Sequence, residues 1–498
     1  MINLDNFSEI LSADTESGVV TFQSGLRLRD LTKELAKRGL SMPNLGSIDE
    51  QSVAGVISTG THGSSLNHGL ISESISSMKL ILANGQVVQC SGSTNPSLFR
   101  AALLSLGALG IIVEITFRAV SDFKIEWTQT LEPLSKILDT WDTTLWTSAE
   151  FTRVWWLPYG DTGVVWRAHK TDKSLAPPPK SYYSSRFGYH TYHCLLWLAQ
   201  CVPRINPWVE WFVFGMQYGF KPGARTSTAV QFGREGLLMD CLYSQFVNEW
   251  ALPLKSGPEA ITRLREFLRN PKDHSRISGI PYSSAGLYVH SPIEVRVSDT
   301  SGKTGLVDAN SRPLLDPTCR DEPTLYLNAT LYRPYLRDPP CTDRYYQAFE
   351  YLMREMKGRP HWAKNFTAES SPEIADMYGE DLQDFMKIRD EVDPNGMFLG
   401  EWHRRNLPLH ISAKDAMIEE QAIIRKFGNG SAAWGDGLEW VGKREKMKLV
   451  DRDEKGGINP ADSNGSSASA SPPMTATSDE SFDYMARGEA SLLLGKRA

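Results

Sequence analysis

The sequence predicts an α+β protein in which two differently patterned regions precede a polar tail. Up to about residue 120, short β-branched runs alternate with amphipathic segments of helical spacing. From residue 121 to 405, aromatic-rich strands are separated by long loops. We therefore predict domains at 1–120 and 121–405 and an extension at 406–498. The extension is expected to be largely disordered from about residue 451, because Asp, Lys, Gly, Ser, Ala and Pro dominate it and leave little to bury.

Each region contains recognisable elements. In the first region, an Asn84-Gly85 turn joins two strands of a predicted hairpin. The other elements predicted there are strands at 18–22 and 111–117 and helices at 26–39 and 96–106. In the second region we predict a β pair at 154–157 and 163–166, helices at 258–269 and 342–357, and strands near 285–298 and 324–333.

One segment of the second region, residues 187–220, is unusually apolar and aromatic. Pro203, Arg204 and Pro207 interrupt it, so no run approaches the ~20 apolar residues that cross a bilayer. Two readings remain open: a buried helix pair, or an interfacial element that lies on a membrane surface.

Composition excludes several classes of function. With a net charge of -6, the chain has no dominant basic field, so we expect no nucleic-acid partner. Its six cysteines are scattered without a CxxC pair, which indicates free thiols and neither a metal site nor a disulfide framework. No targeting segment is visible at the N-terminus.

The stretch from Gly46 to Ser65 is rich in Gly, Ser and Thr. Glycine lets backbone approach a ligand closely, and successive N–H groups then form an anion-binding concavity. A Gly/Ser-rich surface loop is the alternative, because neither the Walker nor the Rossmann spacing is present.

Three downstream segments carry further candidates. Glu294 and Arg296 lie two residues apart, and so do Asn328 and Thr330; on a strand each pair would share a face. The third segment is His361-Trp362-Ala363-Lys364. Taken singly, the first pair could be a surface ion pair worth roughly 0–1 kcal/mol, and Lys364 could be solvated.

Together these segments resemble the aldonolactone oxidoreductase branch of the vanillyl-alcohol oxidase superfamily. The matching motifs are SVAG-x-x-x-TGTHG at 52–63, SLGALGII at 105–112, Glu-x-Arg at 294–296 and HWAK at 361–364. The resemblance covers about residues 1–405 and implies a PCMH-type FAD-binding domain followed by a mixed α/β cap domain. It implies FAD contacts from Gly46, Ser47, Ser52, Gly55, Thr59, Gly60, Thr61, His62, Gly63, Ser64, Gly110, Ile112 and Lys364.

The resemblance also implies chemistry, with no metal involved. Oxidation of a sugar lactone at its C2 hydroxyl removes a proton and a hydride, and the hydride goes to the flavin. Glu294 would orient Arg296 beside a lactone oxygen, Lys364 would lie near flavin N1, and Ser47 would be a catalytic contact. Asn328 and Thr330 would bind substrate. Gly46 is either a gate that admits O2 or a turn glycine.

Family members carry a preceding segment with a G-x-GH-S loop, whose histidine is joined covalently to the flavin in many of them. No such attachment residue is found in this chain, which we interpret as a truncated sequence or a degenerate product. The resemblance is greatest to fungal members, and it implies lactone and O2 as substrates and dehydro-lactone and H2O2 as products. It also implies association with the mitochondrial outer membrane, with 187–220 as the membrane contact. An alditol oxidase and an inactive, flavin-free remnant are the alternatives.

Overall fold

The computed structural model describes residues 3–183, 185–239, 241–269, 278–290, 292–301, 312–367 and 371–409. The chain divides into two compact units, residues 1–367 with 375–401, and residues 368–374 with 402–498. The predicted disordered tail from residue 451 lies outside the described residues. All elements that build the site described below belong to the first unit.

The N-terminal region forms a five-stranded antiparallel sheet of order β1-β2-β6-β4-β5. Its strands are β1 (Ile10–Ala13), β2 (Val19–Gln23), β4 (Ile75–Ile81), β5 (Val87–Ser91) and β6 (Ile111–Arg118). The predicted hairpin is confirmed as β4–β5, and Gly85 adopts the positive φ of +82° that its turn requires. A short ribbon pairs β3 (Leu40–Ser41) with β7 (Val120–Ser121).

Three helices accompany this sheet: α1 (Leu28–Ala36), α2 (Val53–Ser58) and α3 (Pro96–Ala102). Helix α1 buries Leu28, Leu31 and Leu35 on one face, as its spacing predicts. The helix predicted at 96–106 is shorter in the structure. It ends before Leu106 and Gly107, whose φ angles of 53° and 72° are incompatible with a continuing right-handed helix.

The second region forms an eight-stranded antiparallel sheet of order β11-β8-β10-β9-β13-β14-β12-β15. Its strands are β8 (Lys124–Pro133), β9 (Phe151–Leu157), β10 (Thr162–Thr171), β11 (Thr226–Phe232), β12 (Gln245–Pro253), β13 (Ile293–Ser298), β14 (Thr324–Tyr332) and β15 (Arg359–Pro360). The predicted pairing of 154–157 with 163–166 is confirmed. Of the strand predicted near 285–298 only β13 forms, because Gly286 turns the chain at φ +69° and Pro292 cannot donate to a ladder.

One face of this sheet carries the main apolar core. Alternate residues of the central strands enter it, among them Trp156, Val295 and Leu327. The predicted helices at 258–269 and 342–357 form as α8 (Gly257–Arg269) and α9 (Thr342–Glu355), and residues of both belong to the same core. Five further helices are α4 (Leu134–Asp139), α7 (Gly233–Gly236), α10 (Ser371–Tyr378), α11 (Glu380–Val392) and α12 (Glu401–Asn406).

The apolar segment 187–220 forms a helix pair, α5 (Arg186–Cys201) and α6 (Asn206–Tyr218). Tyr192, Leu196 and Val213 are buried within it. Burial is nevertheless incomplete, because many large apolar side chains remain exposed: Phe187, Trp197, Leu198, Val202, Trp208, Trp211, Met216 and Phe220. Among the described helices, none combines the length and apolarity needed to span a membrane.

Candidate active site

The site begins as a row of side chains that crosses four strands of the eight-stranded sheet. Trp155 on β9 pairs with Glu294 on β13, Glu294 pairs with Asn328 on β14, and Asn328 pairs with Glu249 on β12. Because side chains alternate along a strand, residues paired in this way share one face of the sheet. The face is the one opposite the apolar core.

A cavity of about 160 Å³ lies over Trp155, Glu294 and Asn328 of this row and extends to the Gly-rich segment of the N-terminal region. The N-terminal region contributes Gly46, Ser47, Ile48, Gln51, Thr61 and His62. The second region contributes Trp155, Met239, Cys241, Gln245, Val247, Pro292, Glu294, Arg296, Asn328, Thr330, Tyr332, His361, Ala363 and Lys364. The site is therefore built where the two regions meet, which is a common location for small-molecule sites.

Glu249 lies at the centre of the charged groups and is completely buried. Its Oε1 lies 3.0 Å from Nε2 of His62 and 3.3 Å from Nη2 of Arg296. Its Oε2 accepts a hydrogen bond of 3.1 Å from Nδ2 of Asn328 and lies 3.5 Å from Nζ of Lys364. Burial alone would raise the pKa of Glu249, but the charges of Arg296 and Lys364 outweigh it and hold the pKa well below its usual range.

Arg296 connects this carboxylate to Glu294 and Ser47. Its Nη1 donates to Oγ of Ser47 at 3.2 Å, and its Nε lies 3.3 Å from Oε2 of Glu294. Burial would lower the pKa of Arg296, yet the two carboxylates raise it, so the guanidinium stays charged. The expected contact of Glu294 with Arg296 is present as an ion pair, and the guanidinium also donates hydrogen bonds to a second carboxylate, Glu249.

Two histidines complete the buried array. His62 stacks on Tyr326 with ring centroids 3.4 Å apart, and its Nδ1 lies 2.9 Å from the carbonyl oxygen of Gly63. Burial lowers the pKa of His62, although the contact with Glu249 opposes this. Burial also holds the pKa of His361 well below its usual value. Because the N–H of Ala363 donates to Nδ1 of His361, the proton of this neutral imidazole lies on Nε2.

A further buried cation, Arg153, lies on β9 two residues before Trp155. Its Nη2 donates to the carbonyl oxygen of Leu237 at 2.6 Å, and its guanidinium lies over the ring of Trp166. Burial lowers the pKa of Arg153 to about 10, while the charge of Glu294 opposes the shift. The cavity itself presents two cations, Arg296 and Lys364, to an anion or a developing negative charge.

The structure brings together nine of the predicted site residues at this cavity: Gly46, Ser47, Thr61, His62, Glu294, Arg296, Asn328, Thr330 and Lys364. The others lie away from it. The side chain of Ser52 caps the start of α2, and the hydroxyl of Thr59 donates to the carbonyl oxygen of Gly55. Oγ of Ser64 donates to the carbonyl oxygen of Thr152 and accepts from the N–H of Val297, which ties the N-terminal region to the second region. Cofactor contacts by Ser52, Gly55, Thr59, Gly60, Gly63, Ser64, Gly110 and Ile112 stay a prediction.

Sequence reasoning missed Glu249 and gave His361 no role. Glu249 sits in a continuous buried run, Val247 to Leu252, that shows no alternation, because both faces of β12 are covered. The only available signal was a charged residue inside an otherwise buried strand, which is rare unless the charge is paired. Within the described residues, no group of His, Cys, Asp or Glu is arranged to hold a metal ion.

Polar atoms without partners show that the cavity suits a polar ligand group. Oε1 of Glu294 is buried and has no hydrogen-bond partner among the described residues, and Nε of Arg296 has only its ion-pair contact with Oε2 of Glu294. Nearby, the backbone at Gly46 is tightly enclosed, because an added Cβ would lie 3.0 Å from Cγ2 of Thr61. Buried cations, unpartnered polar atoms and a close-packed glycine segment fit a flavin and its substrate.

Comparisons with known proteins agree with this fit. Residues 1–91 match the FAD binding domain family. A cholesterol oxidase structure from Brevibacterium sterolicum has the same fold, with a TM-score of 0.64 and 15% identity over 80% of this chain and 83% of its own. Fold and site therefore define an FAD-binding protein.

Within that class the family is also shown. Residues 115–406 match the D-arabinono-1,4-lactone oxidase family. A protein of Neurospora crassa is 51% identical, covering 89% of this chain and 82% of its own length. The D-arabinono-1,4-lactone oxidases of Yarrowia lipolytica and Saccharomyces cerevisiae are 40% and 38% identical over 82% and 80% of this chain, and 86% and 84% of their own. The chain belongs to the D-arabinono-1,4-lactone oxidase family.

Proposed function

We propose that this chain catalyses the FAD-dependent oxidation of D-arabinono-1,4-lactone by O2, yielding dehydro-D-arabinono-1,4-lactone and H2O2. The observation that carries the proposal is the convergence of Ser47, Glu294, Arg296 and Lys364 on one cavity, although up to 317 residues separate them in the chain. Such convergence gives a role to residues that taken singly could be surface charges.

Arg296 supplies charge where the substrate oxygen becomes negative. Its guanidinium is buried and kept charged by Glu249 and Glu294, so it can stabilise the oxyanion that develops as the hydroxyl proton leaves. Ser47 accepts from Nη1 of Arg296 and helps to fix its orientation. Oε1 of Glu294, which no described residue contacts through a hydrogen bond, can accept one from a substrate hydroxyl.

Lys364 provides the second cation of the cavity. Its side chain keeps 25% of its exposure while Glu249 lies 3.5 Å away, so the ammonium is anchored yet reachable by a ligand. Bound FAD would accept the hydride and carry negative charge once reduced. Lys364 is the group that we assign to stabilise that charge, and His361 can donate from Nε2 beside it.

Asn328 and Thr330 form the substrate-facing part of β14. Thr330 donates to Oδ1 of Asn328 at 2.7 Å, and both side chains line the cavity. Gly46 lines it from the opposite region, and we assign to it the control of O2 access because any side chain there would press on Thr61.

Spectroscopy and product analysis of the purified chain test this function. A flavin absorption band should bleach when D-arabinono-1,4-lactone is added without oxygen, and admission of O2 should restore it with formation of H2O2. Turnover with xylitol or sorbitol but not with lactones would instead establish an alditol oxidase. A folded, colourless protein that does not respond to added FAD would establish a flavin-free remnant.

We further propose that α5 and α6 contact a membrane surface, at the mitochondrial outer membrane as the family resemblance implies. The pair exposes aromatic side chains, with Phe187, Trp208 and Trp211 at 83%, 49% and 54% exposure. Basic residues in and beside the pair are exposed, while its one acidic residue, Glu210, is buried. Exposed aromatic and basic side chains together favour an anionic lipid surface.

Vesicle flotation measures this contact. The variant Trp208→Ser/Trp211→Ser should float less with vesicles that contain anionic lipid than the unchanged chain does. Val87→Ser, which removes an exposed apolar side chain from the five-stranded sheet, is the matched control and should float normally. Equal flotation of all three, or no effect of deleting 187–220 on membrane partitioning, contradicts the contact.

A further inference from the structure

Glu249 differs from the carboxylate that lines the cavity, Glu294, in how its oxygens are used. Both oxygens of Glu249 lie against protein groups: His62 and Arg296 at Oε1, Asn328 and Lys364 at Oε2. Glu294 keeps one buried oxygen that has no hydrogen-bond partner in the part of the chain that the structure describes. Glu294 is therefore available to a ligand, whereas Glu249 is fully occupied by the protein.

We propose that Glu249 is a positioning residue that fixes the donor array of the active site, holding Arg296, Lys364, His62 and Asn328 in the arrangement that acts on the substrate. This role rests on the proposed function. With both oxygens occupied and no exposed surface, Glu249 cannot reach a substrate proton, so it acts only through the groups that it holds.

The geometry also explains why a carboxylate is needed there. Arg296 lies between two carboxylates, 3.3 Å from an oxygen of each. If Glu249 lost its charge, Glu294 would be the remaining anion for Arg296 and Lys364. Both cations would then turn toward Glu294 and occupy its unpartnered oxygen. Glu249 thus keeps the substrate side of Glu294 open by competing for the cations.

A second buried carboxylate provides a matched control. Glu350 on α9 is 3% exposed, and it accepts from Asn248, the residue next to Glu249, at 2.6 Å. Asn248 points to the opposite face of β12, so Glu350 lies on the core side of the sheet. Glu350→Gln therefore makes the same amide substitution at another buried carboxyl group without touching the cavity.

The experiment compares both variants with the unchanged holoenzyme. We expect Glu249→Gln to lower kcat about 100-fold with little change in KM for the lactone, because misplaced catalytic groups cost rate more than binding. Its flavin midpoint potential should rise, since loss of a negative charge favours the reduced, anionic flavin. A lower rate at a higher potential separates positioning from simple electrostatic tuning, in which rate and potential would rise together. Glu350→Gln should leave kcat, KM and potential unchanged.

Three results would overturn the proposal: unchanged kcat in Glu249→Gln, a kcat that rises with the potential, or an equal loss of kcat in Glu350→Gln. If Glu249→Gln fails to fold, Glu249→Asp decides, because the restored charge should recover part of the kcat that Glu249→Ala lacks. A crystal structure of Glu249→Gln needs no substrate and should show Arg296 or Lys364 closer to Glu294. Failure of the proposed function would appear differently, as no lactone turnover by the unchanged chain, and the crystal structure would still test the positions.

Discussion

The two faces of the eight-stranded sheet have opposite chemistry although the same strands form both. On β13, Val295 enters the apolar core while its neighbours Glu294 and Arg296 face the cavity. On β14, Leu327 enters the core and Asn328 faces the cavity. Neighbouring residues point to opposite sides of a strand, so one backbone presents a hydrocarbon layer and a charged layer.

The difference shows what each face contributes. Removal of apolar surface from water on the core face stabilises the fold. Burial of charges on the cavity face costs free energy, and only pairing offsets that cost. Glu249 and Glu350, two buried carboxylates near the same strand, illustrate the contrast. Cations hold the pKa of Glu249 low, whereas burial raises the pKa of Glu350 despite its hydrogen bonds and Arg354.

The largest expected effect comes from removing the central cation of the cavity face, Arg296. Arg296→Ala should lower kcat about 10²–10³-fold, because it removes a charge that stabilises the developing oxyanion. It should also lower stability by roughly 3–5 kcal/mol, because Glu249 and Glu294 both lose a partner. Steady-state kinetics and urea unfolding measure the two effects. Near-normal turnover in this variant would remove Arg296 from the mechanism.

Truncation of a side chain to alanine on the core face should affect stability alone. Leu327 is fully buried, so Leu327→Ala should cost about 2–5 kcal/mol in the free energy of unfolding. The folded fraction should keep its kcat and KM. Leu336→Ala, at a side chain that is 53% exposed, is the control and should leave the free energy of unfolding, kcat and KM unchanged. A fall in kcat for Leu327→Ala at a temperature where the protein remains folded would mean that the two faces are not independent.

A pair of asparagines sharpens the comparison. Asn328 bonds Glu249 and Thr330 on the cavity face, and Asn248 bonds Glu350 and Trp250 on the core face. Asn328→Ala should raise the KM for the lactone about tenfold, equivalent to roughly 1.4 kcal/mol, the size of a typical hydrogen bond. Asn248→Ala should instead lower the unfolding free energy with KM unchanged. The reverse pattern would contradict the assignment of the faces.

A smaller effect is expected at the rim of the cavity. In Gly46→Ala the new methyl group would meet Thr61 at 3.0 Å, so the side chain of Thr61 must shift. Stopped-flow spectroscopy should show slower reoxidation of the reduced enzyme by O2, with anaerobic reduction by the lactone unchanged. Equal slowing of both half-reactions would assign Gly46 to the turn rather than to O2 access.

The smallest effect concerns pH. Since the pKa of Glu350 is raised in the fold, its stabilising contribution is present below the unfolded value of about 4.3 and is lost as pH rises through the folded value. Glu249 has a lowered pKa, so its contribution is present above about 4.3 and is lost as pH falls through the folded value. As pH rises, the stability of Glu350→Gln relative to the unchanged chain should therefore increase, and that of Glu249→Gln should decrease. Thermal unfolding at several pH values measures both. The same trend in both variants would contradict this difference.

The sequence by itself determined the α+β class, the hairpin at Asn84-Gly85, most strands, and the pairs Glu294 with Arg296 and Asn328 with Thr330. These features depend on local turn chemistry and on the two-residue period of a strand. Only the tertiary structure decided the centre of the site. Glu249 meets His62, Arg296 and Asn328 across 187, 47 and 79 residues of chain, because strand order and register place β12 beside β14. The two-residue period along a strand shows which residues share a face, but the register between paired strands decides which of them are in contact.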